Sequence, residues 1–299
     1  MARHDIVKAY IDEASAEAVL FTRNSNIQWF FEGEVDPRVD ISTELAAFWL
    51  LVTSSMVIAL CPRYDVDRIR DEVLPKDVEI MGFDGFSNSV ESVGSICSKF
   101  SKVAVDSDLF FSSSNYVPIG KSFYEKTQLL SEREILRLRV TGKLTENIIC
   151  EFAPELQPGM TELEVEKVLR AIFIESGLEV PTLCIASDER ISKSPYPVST
   201  AKKISRYLML RATIRKQGLS VSLSRYFHFG AVPQELEQGH ERASGIAAKG
   251  AVAIMRAKTM SEVFEEIKNA YASLNAADEV AYYSPGGTNG YTKNTFLFA

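Results

Sequence analysis

Cysteine is rare and scattered in this chain. Cys61, Cys97, Cys150 and Cys184 are the only four in 299 residues, and no two form a CxxC pair. That spacing excludes a disulfide framework and a cysteine-built zinc site, and predicts buried thiols of a reducing compartment. Histidine is scarcer still, at three: His4, His228 and His240. No basic block occurs, and 33 Lys plus Arg stand against 40 Asp plus Glu for a net charge of -7. Nucleic-acid binding through phosphate neutralisation is therefore not expected. The first residues, "MARHDIVKAYIDEASAEAVLFT", carry charges throughout and lack the apolar core of a signal peptide. The longest uncharged run, Leu45 to Cys61, is interrupted by Thr53, Ser54 and Ser55. It falls short of the roughly 20 residues a membrane span needs and reads as two buried strands joined by a tight turn. A cytoplasmic protein with no membrane partner is the expectation.

What remains is an ordinary globular composition, 46% hydrophobic and 24% charged, long enough for about two domains. The first part alternates signals. A helical pattern over 5–15 precedes the strand "AEAVLFT"; the hairpin of 47–60, the charged helix "DVDRIRDEVL", the strand "VEIMGF", a helix over 88–99 and the strand "KVAVD" follow. Strands alternating with helices predict an α/β layer over residues 1–125. The Ser-rich stretch "DSDLFFSSSNYVPIG" reads as a loop near its end. A second unit, 126–299, opens with Ser131 and Glu134 as a capping box, and Thr161 with Glu164 repeats the device before a helix that Gly177 ends. Then come the strand "VPTLCIAS", two strands around a Lys-Gln-Gly turn in "YLMLRATIRKQGLSVSLSRYFHFG", two helices, and "EVAYYSPGGTNGYTKNTFLFA" as strand, Gly-rich turn and strand. That order predicts an α+β domain.

Arg211 stands in the middle of the first hairpin strand, where an unpaired guanidinium carries a large desolvation cost. The words around it give it a context. "LLSEREILRLRVTGKL", "LQPGMTELEVEKVL", "ASDERISKSPYPVSTAKKISRYLML", "SLSRYFHFG" and "PGGTNGY", in this order, resemble the creatinase, prolidase and aminopeptidase P superfamily of Xaa-Pro peptidases. The resemblance implies a creatinase-type N-terminal α/β domain followed by a pita-bread domain, here without its last strands because the chain stops at Ala299. Active relatives hold two metal ions with two Asp, one His and two Glu, hard donors suited to lowering the pKa of a bridging water. The two Asp stand eleven residues apart on facing strands. Aligned through Gly218 and "SLSR", their positions fall on Arg211 and Ser222. The metal-binding His corresponds to about Ser284 and the substrate-facing loop His to Tyr196. A guanidinium has no lone pair to give a metal. The resemblance with these departures implies no metal, no cofactor, and a non-catalytic binding or regulatory pseudo-peptidase.

Its ligand would be a small anion or a peptide end, held by Arg211, Ser222, Ser284, Gly286, Gly287 and Tyr291. A metal-independent hydrolase of a peptide, amide or amidino substrate is the alternative, with His228 or Tyr196 moving protons and Arg211 stabilising charge. His228 equally suits a hydrogen-bonded histidine at a strand end, and His4 and His240 are expected in solvent. Three readings of Arg211 stay open: an ion pair with Asp188 or Glu189, a cation in the emptied metal site that holds a carboxylate or phosphate, or a slipped register that turns it to water. "RIRDEV" and "SEREILRLR" read as solvated helix faces, and Arg225 as structural. Trp29, Phe30 and Phe31 read as core or a dimer contact rather than a site lining. A homodimer is expected from the resemblance.

Overall fold

The structure, a computed structural model, describes residues 2–85, 88–282, 287 and 289–291. Two compact units divide it: one comprises Met1–Leu136 with Gln217–Leu219, the other Arg137–Lys216 with Ser220–Ala299.

The first unit is built on six strands: β1 (Ala18–Arg23), β2 (Leu45–Thr53), β3 (Val57–Pro62), β4 (Glu79–Phe83), β5 (Val103–Val105) and β6 (Tyr116–Pro118). They lie in the order β4-β3-β2-β1-β5-β6. The hairpin read from 47–60 is β2 paired antiparallel with β3, Leu50 opposite Ala59. Strand β1 runs antiparallel to β2 and parallel to β5, and β5 runs parallel to β6. Both faces of β1 are buried, which is why "AVLF" shows no polar alternation. Ala18 and Leu20 meet Val93 and Cys97 of α4 (Ser89–Cys97) on one side. The other side carries Phe21, which packs with Phe30 and Phe123. Helices α1 (Ala2–Ala14), α2 (Asn24–Phe30), α3 (Val66–Arg68) and α5 (Lys121–Thr127) complete the α/β layer. Trp29, Phe30 and Phe31 are core, as expected.

Sequence patterning missed some pieces of this unit. The Ser-rich "loop" contains β6, and α5 follows it; both are too short for periodicity to register. His4 is half-buried rather than in solvent, because its ring nitrogen meets the Thr53 carbonyl at 2.8 Å. Helix α6 (Glu132–Phe152) does not present a wholly solvated first turn. Glu134 is fully buried and accepts from Arg3 at 2.5 Å and from the Ser131 backbone N–H at 2.7 Å, so the capping-box glutamate doubles as a buried counter-ion. The Arg3 guanidinium also lies 4.7 Å over the Trp29 ring.

The second unit packs α6 and α7 (Glu162–Glu175) on one face of a three-stranded sheet, β7 (Glu179–Ser187), β8 (Tyr207–Lys216) and β9 (Leu219–His228). Ile149 and Phe152 of α6 and Leu169 and Phe173 of α7 cover Ile185, Leu208, Leu210, Ala212 and Ile214. The Thr161–Glu164 capping box starts α7 as expected, and Gly177 ends it at a φ of 69°. Gln217 and Gly218 both take positive φ, 48° and 80°, the two-residue turn that matches strand twist. Helices α8 (Gln234–Arg256) and α9 (Met260–Ser273) pack through Ala253, Val263 and Ile267. At the chain's far end, the strand expected from Glu279 is replaced by a 3₁₀ turn over Ala277–Tyr282.

Three cysteines are buried as expected, but Cys150 is exposed, on the outer side of α6. Burial pushes the Cys61 and Cys97 thiols up to about 11, so both stay protonated near neutrality. No helix among the described residues is long and apolar enough to cross a membrane.

Candidate functional site

Pleat alternation decides which side chains of the second sheet are free for chemistry. Because Leu208, Leu210, Ala212 and Ile214 face the helices, Tyr207, Met209, Arg211 and Thr213 face away from them. On β9 the residues packed toward the core are Val221, Leu223 and Phe227, which leaves Ser222, Ser224, Tyr226 and His228 on the same open face as Arg211. Arg211 pairs in register with Cys184 of β7, with no slip at this position to turn it to water, and it stands half-buried on this face. The face is polar at its centre: the Thr213 and Ser222 hydroxyls lie 3.0 Å apart.

Arg211 finds no carboxylate among the described residues. Its guanidinium donates to the Pro195 carbonyl at 3.2 Å and to the Tyr196 hydroxyl at 3.3 Å, and sits 4.3 Å from the Tyr196 ring centroid. An ion pair with Asp188 or Glu189 is therefore corrected. The Asp188 carboxylate accepts instead from the backbone N–H groups of Ser205, Arg206 and Tyr207, at 3.0, 2.9 and 3.0 Å. Burial pushes its carboxyl up, but those three donors and Lys202 outweigh it and hold the carboxyl below the usual range. Glu189 pairs with Lys202 at 3.3 Å. Of the five guanidinium N–H donors, two have acceptors, so an open hydrogen-bonding edge remains among the described residues.

The loop that brings Tyr196 to Arg211 is fixed by a residue that sequence reading passed over. Glu162, the first residue of α7, is fully buried. One carboxylate oxygen accepts from the Ser187 N–H and hydroxyl, both at 2.8 Å. The other accepts from the Thr200 N–H and hydroxyl, at 2.9 and 2.8 Å, and pairs with Arg190. Arg190 in turn donates to the Val198 carbonyl at 2.8 Å. Glu162 and Asp188 thus clamp both ends of the segment carrying Tyr196. The available signal was the acidic residue at N1 beside the capping box, which reads only as a favourable dipole contact.

Among the described residues, His228 and Tyr291 make their contacts away from Arg211. His228 faces Tyr207, with ring centroids 6.1 Å apart, and its Nδ1 meets the Gly230 carbonyl at 3.3 Å. Tyr207 is four residues along β8 from Arg211, about 13 Å, which is beyond proton-transfer reach. His228 is the strand-end histidine of its structural reading, in a row with Tyr207, Tyr226 and the exposed His240, whose ring lies 6.0 Å from that of Tyr226. Tyr291 accepts at its hydroxyl from Arg137 of α6 at 3.2 Å, and Gly290 accepts from the Ser220 N–H at 3.3 Å. Gly287 makes an isolated β-bridge. Ser284 and Gly286 lie outside the described residues. Arg225 pairs with Glu146 at 3.0 Å, the structural role expected of it.

The donor set does not fit a dinuclear metal centre. A guanidinium and a hydroxyl already paired with Thr213 stand where the resemblance puts two aspartates. Among the described residues no group of three or more His, Cys, Asp or Glu is placed to hold a metal ion.

Residues 137–294 match the profile of metallopeptidase family M24. Solved structures resemble this chain over nearly its whole length. One is dipeptidase PepE from Mycobacterium ulcerans, with a TM-score of 0.81 and 15% identity over 100% of this chain and 83% of that one. A second is the Xaa-Pro dipeptidase from Bacillus anthracis, at 0.77 and 15% over 98% and 82%. A third is the N-terminal domain of FACT complex subunit SPT16 from Cicer arietinum, at 0.68 and 12% over 99% and 82%. At these identities the likenesses show the fold, the pita-bread fold of prolidases and Xaa-Pro peptidases. No curated protein sequence matches.

Proposed function

Because this chain belongs to metallopeptidase family M24, we propose that it uses the peptidase framework for binding, with the Arg211 guanidinium receiving the carboxylate of a peptide end or small acid. The observation that carries this reading is the state of Arg211. It stands half-buried on the polar face, held by Tyr196 and the Pro195 carbonyl, with open N–H donors and no acidic partner among the described residues. A planar guanidinium presents paired donors that match a carboxylate, and its stacking on Tyr196 fixes their direction in advance. Metal-dependent hydrolysis of an Xaa-Pro bond has no ligand set among the described residues. His228 is too far along the sheet to serve Arg211 as a base, which leaves Tyr196 as the one proton carrier the metal-independent hydrolase reading keeps beside Arg211. One protein of this fold, SPT16, is named as a complex subunit and not by a peptidase activity, which agrees with a framework reused for binding.

Calorimetric titration with an N-acetylated tripeptide and its C-terminal amide tests the reading. The free acid is expected to bind at least about tenfold more tightly than the amide, and Arg211→Gln to erase that difference. Equal affinities for acid and amide, or no binding of either, would overturn it.

A further inference from the structure

The first unit carries a cavity of about 330 Å³ with no part in the site above. It opens at the carboxyl ends of the parallel strands β1, β5 and β6, between Arg23 and the segment from Asp106 to Phe111. From β1 the chain turns to β2 on one side of the sheet; from β5 it turns to β6 on the other. A crevice between connections that leave in opposite directions is where open α/β sheets place their ligands.

Its lining has an unusual charge arrangement. Arg23 is exposed, and its Nε is spent on the Asp106 carbonyl at 2.8 Å, which aims the guanidinium while leaving its terminal nitrogens without acceptors among the described residues. Asp108 is also exposed and makes no ion pair among the described residues, with Arg23 or any other cation. Asp106 is not available to a ligand, because its carboxylate accepts from Thr22 N and Oγ1, Arg23 N and Asn26 Nδ2. The Tyr124 hydroxyl is pushed up by burial and then by the Asp106 charge, so it stays protonated and can donate. Ser107, a lining residue 6% exposed, keeps a buried hydroxyl with no partner among the described residues. Ile119 and the half-exposed Phe111 supply apolar wall.

From this juxtaposition we propose that the cavity binds a free α-amino acid with an apolar side chain. Its carboxylate meets Arg23 and the Tyr124 hydroxyl, its ammonium meets Asp108, and its side chain rests on Phe111 and Ile119. Two opposite charges that line one cavity without pairing offer a zwitterion both of its counter-charges and repel neither end.

Titration of the full chain with L-leucine, L-leucinamide, N-acetyl-L-leucine and L-glutamate, followed by backbone amide shifts, decides it. Leucine is expected to saturate a site whose perturbed amides include Ser107 to Phe111, with each of the other three about tenfold weaker. Asp108→Asn, which removes an exposed charge with no side-chain bond among the described residues, is expected to weaken leucine about tenfold at unchanged thermal stability. Perturbed amides elsewhere, a derivative that binds as tightly as leucine, or no saturation by leucine would each overturn the proposal.

Discussion

Glu162→Ala is expected to cost about 3–5 kcal/mol of folding stability, read as a drop in the denaturant midpoint of chemical unfolding. The magnitude follows from what stays behind. Arg190 loses its carboxylate partner, and the buried Ser187 and the exposed Thr200 lose the acceptor of two backbone N–H groups and two hydroxyls. Leaving such donors without acceptors costs more than the pair itself was worth. Glu162→Gln should cost less, because an amide oxygen still accepts from one side of the cluster. The local consequence matters more for function. With the segment after Ser187 released, Tyr196 loses its fixed place beside Arg211, so peptide-acid binding should weaken in Glu162→Gln even where the protein remains folded. A Glu162→Ala midpoint within about 0.5 kcal/mol of wild type would show that the cluster is not structural.

Glu134→Ala is expected to have an effect of the same size, about 3–5 kcal/mol, in the first unit. Arg3 is 5% exposed and Glu134 fully buried, so truncating the acid strands a desolvated guanidinium beneath α1. It also removes the acceptor for the Ser131 N–H that opens α6. Glu32, 3.8 Å from Arg3, supplies partial compensation, so the double variant with Glu32→Ala should be worse than the sum of the singles. Unfolding curves for the two singles and the double check both the size and the sign of that coupling. A stability loss below about 1 kcal/mol for Glu134→Ala would contradict the account.

Both buried acids show where reading the sequence stops. Local grammar was legible: the capping boxes of Ser131 and Thr161, the Gly218 turn and the alternation of β8 all depend on neighbours a few residues away. The register of Arg211 stayed open in the sequence, and its pairing with Cys184 across β7 is what fixes it on the face away from the helices. What a charged residue meets was not legible. Asp188 looked like a partner for Arg211 in sequence, yet its carboxylate closes the backbone of Ser205–Tyr207, a contact made across 17 to 19 residues. Glu162 and Glu134 sit in acidic first turns that look solvated, and only tertiary packing reveals that each is a counter-ion sealed from water. Strand β6 and helix α5 escaped because three and seven residues carry too little periodicity.

The function rests on a permanent cation standing where relatives, by resemblance, coordinate metal. Inductively coupled plasma mass spectrometry of the purified chain, after equilibration with manganese, cobalt or zinc and removal of free ion, is the direct measurement. Sub-stoichiometric metal in all three cases is the predicted result. Two tightly held divalent ions per chain would contradict it.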